Sequence, residues 1–319
     1  MSQGKLTPDT MMSASRLPGL MGYSKYSTPN DELSYSVRAL QGLDREPFES
    51  EPADWGNRFE NHILQESCQR LGLDTYNLEH THPLFASDYL PLCCSLDGTA
   101  DGRGRVLTTD PDAGIFVIGQ DSIVLDGEGV LEAKLTGQDV DDIPPLWRGP
   151  IQLQGQMLVT GAKWGAVCTL YKGTKLRVFV FERHQATIDA ITEAVIEFQK
   201  RLDHYNATKE VDFYPPANNQ DANRIWPVGD TEEVELDYSS EIWAQEITET
   251  KQEIKELQEV IEDRETKLKA KLQTAGKAVA GKYRITWPMR HYKAQPERIT
   301  PAKQASVVRQ STLTIKEIK

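Results

Sequence analysis

Hydrophobic and polar residues alternate most regularly in three stretches: residues 129–135 (GVLEAKL), 164–171 (WGAVCTLY) and 175–182 (KLRVFVFE). A period of two is typical of β-strands with two different faces. The turn Lys172-Gly173-Thr174 separates the last two stretches, which predicts an antiparallel pair. The two faces of the first stretch carry Val130, Glu132 and Lys134 on one side, and Leu131, Ala133 and Leu135 on the other.

A longer period, near 3.6 residues, predicts helices at 54–71, 151–160 and 184–204. The first would begin with Asp54 as N-cap and end before Gly72. Glu60 shares its core-facing stripe with Leu64, Cys68 and Leu71. Shorter signals predict a helix or turn over 13–20 that Pro18 and Gly19 end, a helix beginning at 27–30 with Leu33, Val37 and Leu40 buried, and strands at 89–97 and 115–126.

The element order is helix, three or more strands, helix, two strands, helix. This order predicts an α/β fold with a mixed central sheet flanked by helices. We assign residues 1–205 to this core. Residues 206–240, with Pro215-Pro216, are a predicted linker or wrapping loop.

Residues 241–319 are a predicted helical extension with a small β unit. Ile247, Ile254, Ile261 and Leu268 repeat every seven residues along a charged helix at 241–275, with Leu257 supporting the seam. This spacing favours packing against a partner helix, in the same chain or in another subunit. Residues 276–281 end the helix, and YRITW (283–287) and STLTIK (311–316) are predicted strands.

The formal charge of −12 for 319 residues argues against a protein that coats DNA non-specifically. Residues 281–319 nevertheless carry nine Lys or Arg and two acids, so they form either a phosphate contact surface or a solvated tail. The four cysteines contain no CxxC pair, which is typical of buried thiols in a reducing cytosol. Without an apolar membrane span or signal core, we expect a cytoplasmic protein of a bacterium or an infected host cell.

The charged residues on the apolar strand at 129–135 are the strongest chemical signal. Burying charge is costly unless the charges are paired or hold a metal. Asp97 ends a predicted strand upstream, and Glu132 and Lys134 point to one side of the strand at 129–135. Asp-x(n)-Glu-x-Lys is the PD-(D/E)xK nuclease pattern, in which the two carboxylates are ligands for Mg²⁺ and the lysine orients water and neutralises phosphate charge.

Other residues are weaker candidates for the same site. Glu60 is either a third carboxylate or an acid at the edge of the apolar face. Gln152 is an amide that can position Lys134 or the water. Ser13, Ser15 and Arg16 near a helix start suit a terminal phosphate, although ordinary capping explains them as well. We interpret His80 and His82 as structural.

Four stretches together resemble the YqaJ-type viral recombinases, the group that includes lambda exonuclease. SASRL (13–17) is similar to the family's segment near the DNA end, and WGNRFE (55–60) to its Trp-Gly-x-x-x-Glu helix. SLDG (95–98) and LEAK (131–134) resemble its Ser-Pro-Asp-Gly and Glu-x-Lys motifs, and IQLQGQM (151–157) its Gln-x-Gln helix. The resemblance spans about residues 10–205.

The resemblance implies an exonuclease that degrades the 5′ strand from a double-stranded DNA end and leaves a 3′ overhang for a single-strand annealing protein. It implies Mg²⁺ as cofactor, with Mn²⁺ as a substitute, held by Glu60, Asp97, Glu132 and the backbone carbonyl of Ala133. Lys134 and Gln152 would complete the catalytic set, and Ser13, Ser15 and Arg16 would lie near the 5′-phosphate. Relatives form toroidal oligomers, so a ring of three or more subunits is expected.

The sequence also allows two other functions. A structure-specific endonuclease can use the same fold, because the fold does not fix the substrate. A non-catalytic DNA-binding protein would oligomerise through the 241–275 helix and release no nucleotides from linear DNA. A Cas4- or RecB-like enzyme with an iron–sulfur cluster is disfavoured, because all four cysteines lie inside the core.

Overall fold

A computed structural model of the chain describes residues 7–43, 50–78, 85–229 and 233–289. The chain divides into two compact units, Met1–Ile225 and Trp226–Lys319. No helix within the described ranges is both long enough and apolar enough to cross a lipid bilayer. His80, His82 and the predicted strand at 311–316 lie outside the described residues.

The first unit contains most of the strands and six of the helices found in the described part of the chain. Its strands are β1 (Met12–Ser13), β2 (Tyr76–Asn77), β3 (Phe85–Ala86), β4 (Leu92–Cys94), β5 (Gly98–Asp101), β6 (Arg105–Thr108), β7 (Ile115–Val117), β8 (Ser122–Leu125), β9 (Glu128–Thr136), β10 (Trp164–Tyr171) and β11 (Lys175–Glu182). Its helices are α1 (Leu17–Leu20), α2 (Pro29–Leu40), α3 (Glu51–Leu71), α4 (Pro150–Thr160), α5 (Gln185–Thr208) and α6 (Asn219–Ile225).

The central sheet is mixed, with six strands in the order β2-β5-β9-β10-β11-β7. Strand β9 runs parallel to β10 and antiparallel to β5. Strands β10 and β11 form the predicted antiparallel pair over the predicted residues. The mixed central sheet flanked by helices is therefore confirmed. Smaller sheets join β1, β4 and β3, and β6 and β8.

Two hydrophobic clusters cover opposite faces of the sheet. Val130 of β9 belongs to the cluster built with α1, α2, α4 and α5, and Leu131 belongs to the cluster built with α3. The alternation predicted for β9 is therefore confirmed. It directs Glu132 and Lys134 toward α4, because side chains two residues apart share a face.

Several predicted boundaries differ from the structure. Helix α3 begins at Glu51 rather than Asp54, because Ser50 is the N-cap and accepts the N–H of Ala53. Pro18 and Gly19 lie inside α1 instead of ending it, since proline is tolerated in a first helical turn. The end of α3 at Gly72 is as predicted, with a φ of 67° that favours glycine.

Other differences concern strands and the predicted linker. The stretch 89–97 yields only β4, and 115–126 is split into β7 and β8 by a turn at Gly119, whose φ is 86°. Residues 219–225 form α6 within the predicted linker. Asp221 of α6 is buried and accepts hydrogen bonds from Thr28 and Asn30 of the α2 start.

The second unit contains one long helix and a hairpin. Helix α7 (Tyr238–Leu272) confirms the predicted helix, with its N-cap at Asp237. The hairpin joins β12 (Lys277–Ala280) and β13 (Tyr283–Thr286). The first strand of this small β unit thus precedes the predicted YRITW strand, at residues predicted to be only the end of the helix.

Candidate active site

Sheet register brings Asp97 and Glu132 together. Asp97 lies in the link between β4 and β5, and Gly98 is paired with Leu131 of β9. The Oδ2 atom of Asp97 accepts the backbone N–H of Ala133 at 2.9 Å. The two acids, 35 residues apart in sequence, therefore meet at one place in the sheet, Glu132 on β9 and Asp97 just before the neighbouring β5.

Glu132 is buried, with 1% of its surface exposed, and both of its oxygens accept hydrogen bonds. Lys134 Nζ donates to Oε1 at 2.5 Å, and Gln156 Nε2 donates to Oε2 at 2.7 Å. Gln156 also donates to the carbonyl of Ser95 at 3.2 Å, next to the Asp97 link. These bonds fix the orientation of the carboxylate.

Lys134 connects β9 to α4, because its ammonium also donates to Gln152 Oε1 at 3.1 Å. Gln152, Lys134, Glu132 and Gln156 thus form one chain of hydrogen bonds. The sequence prediction included Gln152 but not Gln156 as a site residue. The sequence contained a signal for Gln156, because it lies four residues after Gln152 and residues four apart on a helix share a face.

The electrostatics of the site show an excess of negative charge. The pKa of Asp97 is raised well above its ordinary value by burial and by the neighbouring carboxylates of Glu132 and Glu60. For Lys134, burial acts to lower the pKa, but the carboxylates of Glu132, Asp97 and Glu60 outweigh it, so the pKa is raised. One lysine therefore does not neutralise this group of acids.

Glu60, half-buried on α3, contributes to this field. In the described ranges, however, no group of three or more acidic, histidine or cysteine side chains is spaced as a metal site. Mg²⁺ keeps several waters and needs only one or two protein carboxylates, so the donor chemistry of Asp97 and Glu132 fits this ion. The observed backbone contact of Ala133 is its N–H to Asp97, and its carbonyl remains a predicted ligand.

Arg16 has a structural role that the sequence prediction did not include. All five of its N–H donors are engaged, so none remains for a phosphate. The acceptors are Glu32 Oε2, the carbonyls of Glu32, Asp9 and Met11, and Ser36 Oγ. The interpretation of Arg16 as a 5′-phosphate contact is corrected accordingly.

Ser13 and Ser15 have different environments, although their hydroxyls are 3.2 Å apart. Ser13 is buried at 1% exposure, whereas Ser15 is exposed. Ser15 lines a cleft of about 460 Å³ together with Lys134 and Gln152. Of the three residues predicted near a phosphate, Ser15 is the one that shares a cleft with Lys134.

The four cysteines are free and buried. Burial raises the pKa of the Cys94 and Cys168 thiols to about 12 and that of Cys68 to about 11. Neutral thiols are poor nucleophiles and poor metal ligands. This agrees with the predicted role of the cysteines as core residues.

Comparisons with known proteins agree with the motifs. Residues 8–163 match the model of the YqaJ-like viral recombinase domain. No curated protein matches the chain. Among solved structures, an alkaline exonuclease from Laribacter hongkongensis is similar at 16% identity, with a TM-score of 0.45 over 63% of this chain and 94% of that one. A phage-related exonuclease from Haemophilus somnus 129PT is similar at 14% identity, with a TM-score of 0.42 over 63% and 96% of the two chains.

The family match covers every motif that the sequence resemblance used, from SASRL to IQLQGQM. It includes all of the acids, amides and the lysine described above. Residues 8–163 therefore match the YqaJ-like viral recombinase domain, the family that the motifs of the sequence resemble.

Proposed function

We propose that this protein is an Mg²⁺-dependent exonuclease that acts at double-stranded DNA ends. It degrades the 5′ strand and leaves a 3′ overhang for a single-strand annealing protein. Mn²⁺ substitutes for Mg²⁺, because both are hard cations that prefer oxygen ligands. The family assignment supports the reaction class, and the site geometry supports the assignment of residues.

The observation that carries the proposal is the meeting of Asp97, Glu132 and Lys134 at one point of the sheet. The carboxylates come from the link before β5 and from β9, and the ammonium also comes from β9. They are linked by the Ala133 N–H, which donates to Asp97, and by the hydrogen bond from Lys134 to Glu132. Burial and the neighbouring carboxylates of Glu132 and Glu60 raise the pKa of Asp97, so the protein itself does not fully compensate the negative charge there. A divalent cation would relieve this repulsion.

Asp97 and Glu132 would hold the ion, with Glu60 and the Ala133 carbonyl as further ligands. When bound, Mg²⁺ supplies an activated water and relieves charge on the phosphate. Gln156 keeps Glu132 oriented from behind through its 2.7 Å hydrogen bond. Oriented carboxylates of this kind support metal binding because their geometry is fixed before the ion arrives.

Lys134 stands at the border between the ion site and the cleft. Glu132 and Gln152 hold its ammonium in place, and the ammonium would contact an oxygen of the scissile phosphate and stabilise the charge that develops there. Ser15, in the same cleft, would donate its hydroxyl to the terminal phosphate. Binding and chemistry would thus occur in one continuous cleft.

The decisive experiment is digestion of a linear duplex labelled separately at each 5′ and each 3′ terminus, with Mg²⁺ and then with EDTA. We expect mononucleotides from the 5′ label first, and no release with EDTA. A covalently closed circular DNA in the same buffer distinguishes an exonuclease, which needs a DNA end, from an endonuclease. Cleavage of the circle would replace the exonuclease with a structure-specific endonuclease, and no hydrolysis of either DNA would make the protein a non-catalytic binder.

We also propose that the protein acts as a homo-oligomer, in which α7 contributes a contact between copies. The heptad residues Ile247, Ile254, Ile261 and Leu268 are between 38% and 58% exposed on this helix. Sedimentation of the full chain measures the subunit number, and a monomer at all concentrations would contradict the proposal. Ring assembly, of three or more subunits, is the arrangement that the family resemblance favours.

A further inference from the structure

An aromatic pair, one ring exposed and the other half-buried, lies at the cleft that contains Lys134. Tyr26, in the loop before α2, and Trp147, in the loop before α4, both line this cleft. Their ring centroids are 5.3 Å apart at an interplanar angle of 81°, an edge-to-face contact. Tyr26 is 74% exposed, so most of its ring surface faces solvent.

Two cations accompany this pair. Lys25 Nζ lies 4.6 Å from the centroid of the Trp147 ring, and Arg148 Cζ lies 4.7 Å from it. An exposed aromatic ring beside an exposed lysine is a combination that binds single-stranded nucleic acid, because bases stack on the ring and the cation attracts the phosphates. Neither the ion site nor the predicted phosphate contacts include these residues.

Buried polar contacts fix the loop before α4. Arg148 is buried at 6% exposure and forms an ion pair with Asp141 at 2.8 Å, and it also donates to Gln138. The hydroxyl of Tyr171 in β10 is 3.3 Å from the same Asp141 carboxylate. Trp147 thus adjoins a residue that is fixed to the sheet, which makes its position reproducible before DNA binds.

The loop before α2 is also ordered near Tyr26. The Ser24 hydroxyl accepts the N–H groups of Tyr26 and Ser27, and Thr28 begins α2 with a capping box. Lys25, in contrast, is exposed, and its contact with Trp147 is a surface cation–π interaction, which is weak. Stacking of a base on an aromatic ring is stronger, so an incoming nucleotide can displace Lys25 toward its phosphate.

We infer that Tyr26 and Trp147 form a stacking platform for the base of an unpaired nucleotide next to the phosphate held at Lys134. This inference rests on the proposed nuclease function for its substrate, DNA. The platform accepts any base, because every base has a flat π-surface. It thereby favours a strand whose terminal nucleotide is separated from its partner over one that is fully paired.

The test uses a hairpin-closed duplex with one open end and a short unpaired 5′-phosphorylated strand, bound by the full chain in EDTA. The first unpaired nucleotide is either normal or abasic. We expect the wild type to bind the abasic DNA about five- to 150-fold more weakly, as removal of one stacking interaction predicts. Tyr26→Ala should bind the normal DNA at the abasic level and show no further loss with abasic DNA.

Two variants serve as controls. Tyr26→Phe keeps the ring and should retain the full penalty for the abasic nucleotide. Tyr89→Ala removes another exposed tyrosine, which is 97% exposed and lies outside this cleft, and should bind as the wild type does. Loss of the penalty in Tyr26→Phe, or equal weakening by Tyr89→Ala, would overturn the inference.

This binding test can fail or succeed independently of the digestion test of the proposed exonuclease function. An abasic penalty that persists in Tyr26→Ala, or is absent from the wild type, overturns the platform even if the enzyme digests DNA with Mg²⁺. Conversely, a protein that never releases nucleotides still reports the platform through this binding cycle, because EDTA binding requires no hydrolysis.

Discussion

Strand β9 and helix α7 distribute charged and apolar side chains in opposite ways. On β9, Glu132 is buried and Lys134 lies beside it against α4. On α7, a heptad stripe of isoleucine and leucine is substantially exposed. Buried charge and exposed apolar surface both cost free energy, so each arrangement needs a counterpart that offsets the cost.

The chain itself offsets most of the cost of the buried charge on β9, but it does not cover the exposed apolar stripe of α7. At β9, Glu132 has donors from Lys134 and Gln156, and the half-buried Asp97 beside it has the Ala133 N–H, so only net negative charge remains. A small cation completes such a site. On α7 the remaining need is apolar area along a helix of about 50 Å, which only another macromolecular surface can cover.

The charges of α7 identify its most suitable partner. Residues 238–262 carry seven acids and two lysines, whereas residues 263–272 carry four basic residues and two acids. An antiparallel second copy would place the basic end of each helix, residues 263–272, against the acidic start of the other while the stripes meet. The two regions thus call for different counterparts, a small ion at β9 and a second copy of the helix at α7, as we propose.

The largest expected effect is at Lys134. Lys134→Ala should keep the fold and DNA binding in EDTA but lose two to three decades of hydrolysis, because one electrostatic group of this kind contributes about 3–4 kcal/mol. The initial rate of nucleotide release measures this loss. Lys163→Ala removes a lysine that is exposed and paired with Asp126, and it should digest DNA normally. An unchanged rate in Lys134→Ala would remove this lysine from the mechanism.

The second prediction concerns α7. Ile261→Lys should weaken self-association, since each isoleucine withdrawn from an apolar contact costs about 1.5–3 kcal/mol. Sedimentation velocity over a range of concentrations measures the shift. Gln252→Lys adds the same charge on the opposite face of the helix, five residues after Ile247, and serves as control. Identical sedimentation of the two variants would show that the stripe does not join copies.

Local patterns predicted those parts of the fold that depend on local interactions. The strands β10 and β11 were predicted to the residue, because alternation and the Lys172-Gly173 turn define both. Helix α6 was missed because its buried Asp221 is stabilised by Thr28 and Asn30, about 190 residues away. No sequence window contains that contact.

The same reasoning explains the predictions for the site. Asp97, Glu132 and Lys134 were recognisable because charged residues on apolar strands are unusual. Arg16 was misassigned because its partner Glu32 and Ser36 lie on α2, and their hydrogen bonds to it appear only after folding. Gln156 was not selected because a glutamine on a helix face has no unusual pattern until Glu132 is seen against it.

A third prediction tests the support behind Glu132. Gln156→Leu should lower Mg²⁺ affinity about 10–100-fold, as loss of a hydrogen bond to a ligand carboxylate does. Calorimetric titration with Mg²⁺ measures the affinity. Gln154 is a matched control on the same helix, because it is also buried but bonds to Glu182 and His184 instead. Gln154→Leu should destabilise the fold while Mg²⁺ affinity stays at the wild-type value. Equal affinities in both variants would confine Gln156 to a packing role.

The smallest effect provides the most direct test of the uncompensated charge at β9. Burial and the carboxylates of Glu132 and Glu60 raise the pKa of Asp97, so its charged form is disfavoured in the folded protein. Asp97→Asn removes this charge and should melt at a higher temperature than the wild type in EDTA. The control Asp126→Asn removes a half-exposed carboxylate paired with Lys163 and should show no such gain.

Addition of Mg²⁺ should reverse this order of stability. At ten times the dissociation constant, an ion that binds only the folded state stabilises it by about 1.4 kcal/mol. The wild type and Asp126→Asn should gain this increment, whereas Asp97→Asn should gain much less because it lacks one ligand. If the wild type melts identically with Mg²⁺ and with EDTA, its acids do not hold the ion. In that case the charge on β9 would need a different counterpart, such as a basic partner surface.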